Sequence, residues 1–345
     1  MISNQIKQWA HEIGFNKVGI TDIDLSQYEP HYQKWIESGF HGNMDYMEKH
    51  GKKRWHPEEL VPGTVRVICV ALNYLPPDTK FLNVMRNPHR AFISRYALGR
   101  DYHKVIKQKL LLLTKKIQAL VENTQYRVFV DSAPVLEKPL AEKAGLGWIG
   151  KHSNLLSHSG SSWFFLGEIF TDLPLVIDEP AKAHCGSCRA CIDICPTNAI
   201  VGDKIVDARK CISYLTIELN DSIPEELRSF IGNRVYGCDD CQLICPWNKF
   251  VQASELADFK PRHDLDKAEI IELFNWTEEE FHQKTYGSAI HRIGYKRWLR
   301  NMAVGLGNAP FDSEIVKALN EKRDYPSEMV REHIEWALAK QAKAY

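Results

Sequence analysis

Cys185-Gly-Ser-Cys188-Arg-Ala-Cys191-Ile-Asp-Ile-Cys195-Pro196 is the stretch on which the reading of this chain turns. Its spacing is C-x2-C-x2-C-x3-C-P, the run with which bacterial two-cluster ferredoxins hold iron–sulfur cubes. Three thiolates on a tight loop take three corners of one [4Fe–4S] cluster, and the fourth, ahead of a proline, reaches the other cluster. A second run is therefore required. Cys238-Asp-Asp-Cys241-Gln-Leu-Ile-Cys245-Pro246 supplies its last three cysteines. Val235 stands where its first cysteine belongs, and Cys211 is the remaining nearby thiol that can replace it. One cluster then takes Cys185, Cys188, Cys191 and Cys245, and the other takes Cys195, Cys211, Cys238 and Cys241. Two structural zinc sites are the alternative, but zinc usually takes paired C-x2-C knuckles, and four cysteines in eleven residues with a terminal Cys-Pro fit it badly. The ninth cysteine, Cys69, lies in the β-branched run Val65–Leu72 and reads as a buried strand residue without chemistry.

Around this module, the 345 residues suggest two or three domains. Lys and Arg total 44 and Asp and Glu total 44, so any nucleic-acid surface must be local. The charge-free stretch Ser153–Gly167 is too short and too rich in Ser and Gly to span a bilayer. MISNQIKQWAHEIGF has helical spacing and no apolar signal core, so a cytoplasmic protein is expected. In such a compartment disulfides are a poor reading of the cysteines.

Residues 1–165 read as an α/β (α+β) domain, 166–258 as a ferredoxin-like two-cluster module, and 259–345 as an all-α region. In the first, Val18–Thr21, Val65–Leu72, Arg127–Asp131 and Trp163–Phe170 read as strands. Helices are expected over Ser3–Phe15, Asp101–Glu122 and Glu137–Ala144. In the third, Leu299–Gly307 and Val330–Leu338 echo each other, as HEAT-type helical repeats do. Gly145-Leu-Gly147-Trp-Ile-Gly150 matches G-x-G-x-x-G, but it follows a helix instead of a strand, the wrong context for a dinucleotide. Such a loop can still lay backbone N–H groups against a flat or anionic cofactor.

Asp131 ends a strand, where open α/β sheets place ligands. Desolvation there is expected to raise its pKa and let it carry a proton, although a turn or cap role is the simpler reading. Lys284, Arg292, Lys296, Arg297 and Arg300 are interleaved with His282, Tyr286, His291, Tyr295 and Trp298 and with no acid, a pattern suited to RNA. Arg86, Arg90, Arg95, Arg100, Lys104, Lys107 and Lys109 form a second basic stretch. Either run can equally be a solvated face.

With these pieces assembled, the chain resembles the epoxyqueuosine reductases over nearly its whole length. The resemblance is carried by Tyr96–His103, Val130–Ser153, Lys210–Glu218 and Tyr236–Asn248. It implies removal of the epoxide oxygen of epoxyqueuosine at the tRNA wobble position, leaving queuosine and water, as the last step of queuosine synthesis. Electrons would pass through the two clusters to a base-off cobalamin, and Asp131 would be the proton donor. The absence of a D-x-H-x-x-G signature after Asp101 agrees with the base-off form. The cobalamin is expected between the first domain and the cluster module, against Arg54, Tyr96, Asp131, His152, Ser153, Asn154 and Ser213. Ala97 stands where some relatives place a cysteine near the cobalt, so that thiol cannot be essential here. A tRNA substrate, an external donor of flavodoxin or ferredoxin type and a monomeric state complete the expectation. The other readings are a reductase of the reductive-dehalogenase kind and a non-catalytic electron carrier. The first typically carries an export leader. The second leaves the N-terminal domain unexplained.

Overall fold

The computed structural model describes residues 2–77 and 81–344. The N-terminal half is built on four strands: β1 Lys17–Thr21, β2 Arg66–Asn73, β3 Tyr126–Phe129 and β4 Phe164–Thr171. Their order in the sheet is β1-β2-β4-β3, and every neighbouring pair is antiparallel. This corrects one expectation. The ligand crevice at the carboxyl ends of an open parallel sheet does not exist here. Asp131 lies in the turn beyond β3, with φ 55°, and it is that turn which aims its side chain.

Both faces of the sheet are covered. Along β2, Ile68, Val70 and Leu72 face one apolar core while Val67, Cys69 and Ala71 face another. Successive strand residues point to opposite faces, so a strand buried on both sides reads as one apolar run without alternation. Helices α1 (Ile2–Ile13) and α2 (Tyr102–Leu120) cover the first face with Ile6, Ala10, Ile106, Leu110 and Leu113. Asp101 caps α2 by accepting the His103 N–H at 3.1 Å. The short helix α3 (Glu137–Lys143) packs Leu140 and Ala141 on the second face.

The glycine motif after α3 has a packing explanation. A Cβ on Gly147 would stand 2.0 Å from the Leu156 carbonyl oxygen, because the strand pair Trp148–Ile149 and Leu155–Leu156 closes there. The cluster module holds only short elements: helices Ala190–Asp193, Tyr214–Glu218, Glu225–Ile231 and Asp240–Leu243, and a small hairpin at Ile200–Val206. It is tied to the first half by a parallel pairing of Arg234–Tyr236 with Phe92–Ile93.

The last part is helical: α4 Ile270–Asn275, α5 Glu278–Thr285, α6 Gly294–Asn308, α7 Ser313–Glu321 and α8 Glu328–Ala344. The two echoing segments lie on α6 and α8. These helices cross so closely at Gly307 that a Cβ there would stand 2.6 Å from the Trp336 ring and 2.9 Å from the Ala337 Cα. Among the described residues, no helix is long and apolar enough to cross a membrane.

Candidate active site

The eight module cysteines line two cavities. Cys185, Cys188, Cys191 and Cys245 line one of about 150 Å³, together with His152, His184 and Trp247. Cys195, Cys211, Cys238 and Cys241 line a larger one of about 420 Å³. The remaining wall of the larger cavity includes Tyr96, Tyr102, Asp131, Glu137, His152, Ser153, Asn154 and Ser213. Among the described residues, no three His, Cys, Asp or Glu side chains close on one point as a single ion needs; each thiol set surrounds a volume. N–H groups already reach two of the sulfurs: Trp148 Nε1 to Cys185 Sγ at 3.4 Å, and the Ala199 amide to Cys195 Sγ at 3.3 Å. Hydrogen bonds of this kind help set a cluster's reduction potential.

His152 is prepared for an organic ligand. Its Nδ1 accepts the Asn154 N–H at 3.1 Å, which leaves the proton on Nε2. That Nε2 is buried and has no partner among the described residues. Burial, with the nearby Lys138 ammonium, lowers the imidazole pKa to about 4, so the ring is a neutral donor on the cavity wall. A buried donor without a partner is costly until an acceptor arrives.

Asp131 sits at the centre of a proton network. Its Oδ2 accepts from the Tyr102 hydroxyl and from His103 Nε2, the latter at 3.2 Å. His103 Nδ1 meets Asp101 Oδ1 at 2.8 Å. Both ring nitrogens therefore face carboxylates, an arrangement that only the imidazolium satisfies with two donors. Burial opposes that charge, but the bonds to Asp101 and Asp131 prevail and raise the His103 pKa to about 9. The Tyr102 ring lies flat on Phe165, with centroids 4.1 Å apart, which fixes the hydroxyl.

The expected raised pKa of Asp131 is overturned. Burial does push its carboxyl up, but hydrogen bonds from His103 and Tyr102 and the charges of His103 and Arg292 hold it below the usual range. The raised carboxyls stand behind it. Glu137, whose Oε1 accepts the Asp131 amide N–H, is moved to about 7 by burial and by the Asp131 charge. Glu168, fully buried on β4, is pushed well above the carboxylate range by burial and by Glu137.

Of the residues expected to line a cofactor site, Tyr96, Asp131, His152, Ser153, Asn154 and Ser213 meet in the larger cavity. Arg54 does not. It is buried, donates to the Met47 and Tyr46 carbonyls at 3.0 and 2.6 Å, and organises its own loop. Ala97 is buried and absent from the cavity wall.

Of the basic residues expected to meet RNA, Arg300 is fully buried and donates to the carbonyls of Leu215, Leu219 and Asp221 at 2.6–2.7 Å. It holds α6 against the cluster module and is not a phosphate contact. Arg297 is spent on the Ile217, Ile293 and Arg292 carbonyls. Trp298 is buried on Trp276, Tyr295 is buried, and Arg95 of the second stretch is buried too. Lys296 and Arg292 remain exposed and Lys284 half-buried, Arg292 pairing with Glu218. The two basic stretches meet where the Lys104 ammonium lies 6.0 Å from the ring centroid of Tyr286, itself 70% exposed.

Sequence reasoning assigned no role to Tyr102, His103, Glu137 or Glu168. Glu168 did carry a signal, as the one charge in Trp163–Phe170.

Residues 54–132 match the family model described as epoxyqueuosine reductase QueG, DUF1730, and residues 184–248 match a 4Fe-4S double cluster binding domain. An epoxyqueuosine reductase of Pseudomonas aeruginosa is 57% identical over 338 residues, covering 98% of this chain and 94% of that one. That of Escherichia coli is 56% identical over 341 residues, covering 99% and 89%. The chain belongs to the epoxyqueuosine reductase family. Its class of activity is therefore that of an oxidoreductase. The crystal structure of an epoxyqueuosine reductase with an epoxyqueuosine-modified tRNA-Tyr stem loop superposes with a TM-score of 0.91 at 28% identity, covering 99% of this chain and 90% of that one. A Streptococcus thermophilus epoxyqueuosine reductase superposes at 0.87 with 29% identity, covering 99% and 90%.

Proposed function

We propose that this chain reduces the epoxide of epoxyqueuosine in the wobble position of tRNA to queuosine, with the oxygen leaving as water. The observation that carries the reading is the shared cavity of Asp131 and the Cys195, Cys211, Cys238 and Cys241 set. Electron delivery and proton delivery converge on one space. In this reading both cysteine sets hold [4Fe–4S] clusters and the larger cavity holds a base-off cobalamin. When bound and reduced, that group supplies the strong nucleophile or reductant that the epoxide-bearing ring requires.

The chain's own residues do the rest. Tyr96, Ser153, Asn154 and Ser213 line the cofactor's space, and His152 Nε2–H offers a donor to its polar periphery. Asp131 orients and passes a proton to the departing oxygen. In the resting site that proton is held by His103 and Tyr102 on the same carboxylate oxygen. The Cys185 set, with Cys188 exposed, suits electron entry from a flavodoxin- or ferredoxin-type donor. Lys284, Arg292, Lys296 and the neighbouring Lys104 and Tyr286 suit the phosphates and bases of the anticodon arm. The tRNA stem loop bound by the structural relative supports this partner.

The test is anaerobic reconstitution with iron, sulfide and cobalamin, followed by epoxyqueuosine-containing tRNA, a reductant and mass analysis of released nucleosides. Loss of one oxygen from the modified base is expected. Asp131→Ala should retain both clusters and cobalamin and lose turnover. A wild-type protein that binds no cobalamin overturns the reading.

A further inference from the structure

We propose that Glu168 and Glu137 form a buried carboxyl pair that stores a proton and reloads the Asp131 site during turnover. The inference rests on Asp131 being the proton donor.

The sheet register brings the pair together. Glu168 is on β4 opposite Cys69 of β2 and Phe129 of β3, on the face that α3 covers. It is 0% exposed, and among the described residues no donor reaches either of its oxygens. Its partner is the other carboxyl, Glu137. Two carboxylates cannot satisfy each other, and a buried unpaired charge would be expensive. One shared proton resolves both problems, because a protonated carboxyl donates to its neighbour. The groups facing the pair leave this arrangement intact. Cys69 is a neutral buried thiol, Lys138 is tied to the Ser153 carbonyl at 2.8 Å, and the Asp131 charge favours protonation of Glu137. Beyond Asp131 stand His103 and Tyr102.

The reaction creates a need for such a store. Converting an epoxide to an alkene and water consumes two electrons and two protons, and Asp131 with its imidazolium partner commits one. Glu137 lines the same cavity as Asp131 and already accepts its amide N–H. The Glu168 O–H bond breaks as one forms on Glu137, and the Glu137 O–H bond then breaks as one forms on the Asp131 carboxylate, so the pair delivers its single proton. Solvent entering the cavity refills the pair between turnovers. Because Glu168 lies behind α3, away from the cavity wall, it can hold this proton while substrate excludes water.

Infrared spectroscopy of the wild-type protein tests the store without turnover. A protonated-carboxyl band should be present at neutral pH, persist above the range where ordinary carboxyls titrate, and disappear in Glu168→Gln. Its absence from wild type overturns the proposal, whatever the variant does. Glu168→Gln keeps the shape and a donor to Glu137, so clusters and bound cobalamin should be unchanged. Its kcat should fall on the order of tenfold, short of the roughly hundredfold or more that loss of a direct general acid costs. The loss should steepen with rising pH and carry an enlarged solvent isotope effect. Wild-type kcat and pH profile in Glu168→Gln, with Asp131→Ala inactive, overturn this proposal alone. An active Asp131→Ala overturns the reading on which it rests.

Discussion

Replacing Asp131 by asparagine removes one of two carboxylates that keep His103 charged, and the size of the effect follows from the geometry. Asp101 stands 2.8 Å from one ring nitrogen and Asp131 3.2 Å from the other. Against the opposing effect of burial, they move the imidazole from 6.5 to about 9. At about 1.4 kcal/mol per unit, that displacement is worth on the order of 3 kcal/mol. The His103 side chain is 26% exposed but that of Asp131 is 50% exposed, so solvent screening takes a good part of the Asp131 share. Raising a base's folded pKa stabilises the fold fully below the unfolded value of 6.5, and the contribution fades as pH climbs through about 9. In Asp131→Asn the pKa should drop by roughly one unit or more, so the contribution should be smaller and be exhausted at correspondingly lower pH. The assay is NMR titration of the His103 Cε1–H, assigned by its absence in His103→Gln, with chemical unfolding across the same range. A wild-type His103 that titrates near 6.5, or one indifferent to the asparagine, refutes the argument.

Four further outcomes separate the roles assigned above. Cys211→Ser should remove one cluster and spare the other, halving reconstituted iron while the Cys185 set keeps its signal by electron paramagnetic resonance. Gly147→Ala places a methyl 2.0 Å from the Leu156 carbonyl and should lower stability by about 1–3 kcal/mol in thermal or chemical unfolding. Arg300→Ala should destabilise the fold by several kcal/mol, since it strips carbonyls of their buried donor. Lys284→Ala with Lys296→Ala should cost no more than about 1 kcal/mol of stability, from the Lys284 ammonium over the Trp276 ring, while weakening tRNA binding and reducing its salt slope by roughly one to two.

The cluster module was legible because its chemistry is local. Four cysteines in eleven residues and a following proline must fold round their ligand whatever the rest of the chain does. The strands of residues 17–21 and 66–73 were legible as elements, but their antiparallel order was not. Apolar residues on both faces of β2 erase the alternation that distinguishes one sheet environment from another. Asp131 was legible as a strand-end carboxyl, but the direction of its pKa was not, because it is set by Tyr102 and His103 at the start of α2, far away in sequence. Arg300 shows the same limit from the other side. Composition marks a cation, and only the fold reveals that it is walled in by carbonyls.

What joins the cysteine side of the cavity to the Asp131 side is a register shared between distant parts of the chain. Asp239 lies between Cys238 and Cys241, and its carboxylate accepts the Ser94 hydroxyl at 2.5 Å and the Arg95 amide at 2.9 Å. Next to it, Arg234–Tyr236 pairs in parallel with Phe92–Ile93. The loop carrying two thiols is thus pinned to the segment that continues through Tyr96 into Tyr102 and His103. One end of that segment fixes the cysteines and the other fixes the partners of Asp131. The shared register also explains why an isolated ferredoxin-like module would be incomplete: its second cysteine loop takes its position from residues 92–95, nearly 150 residues upstream.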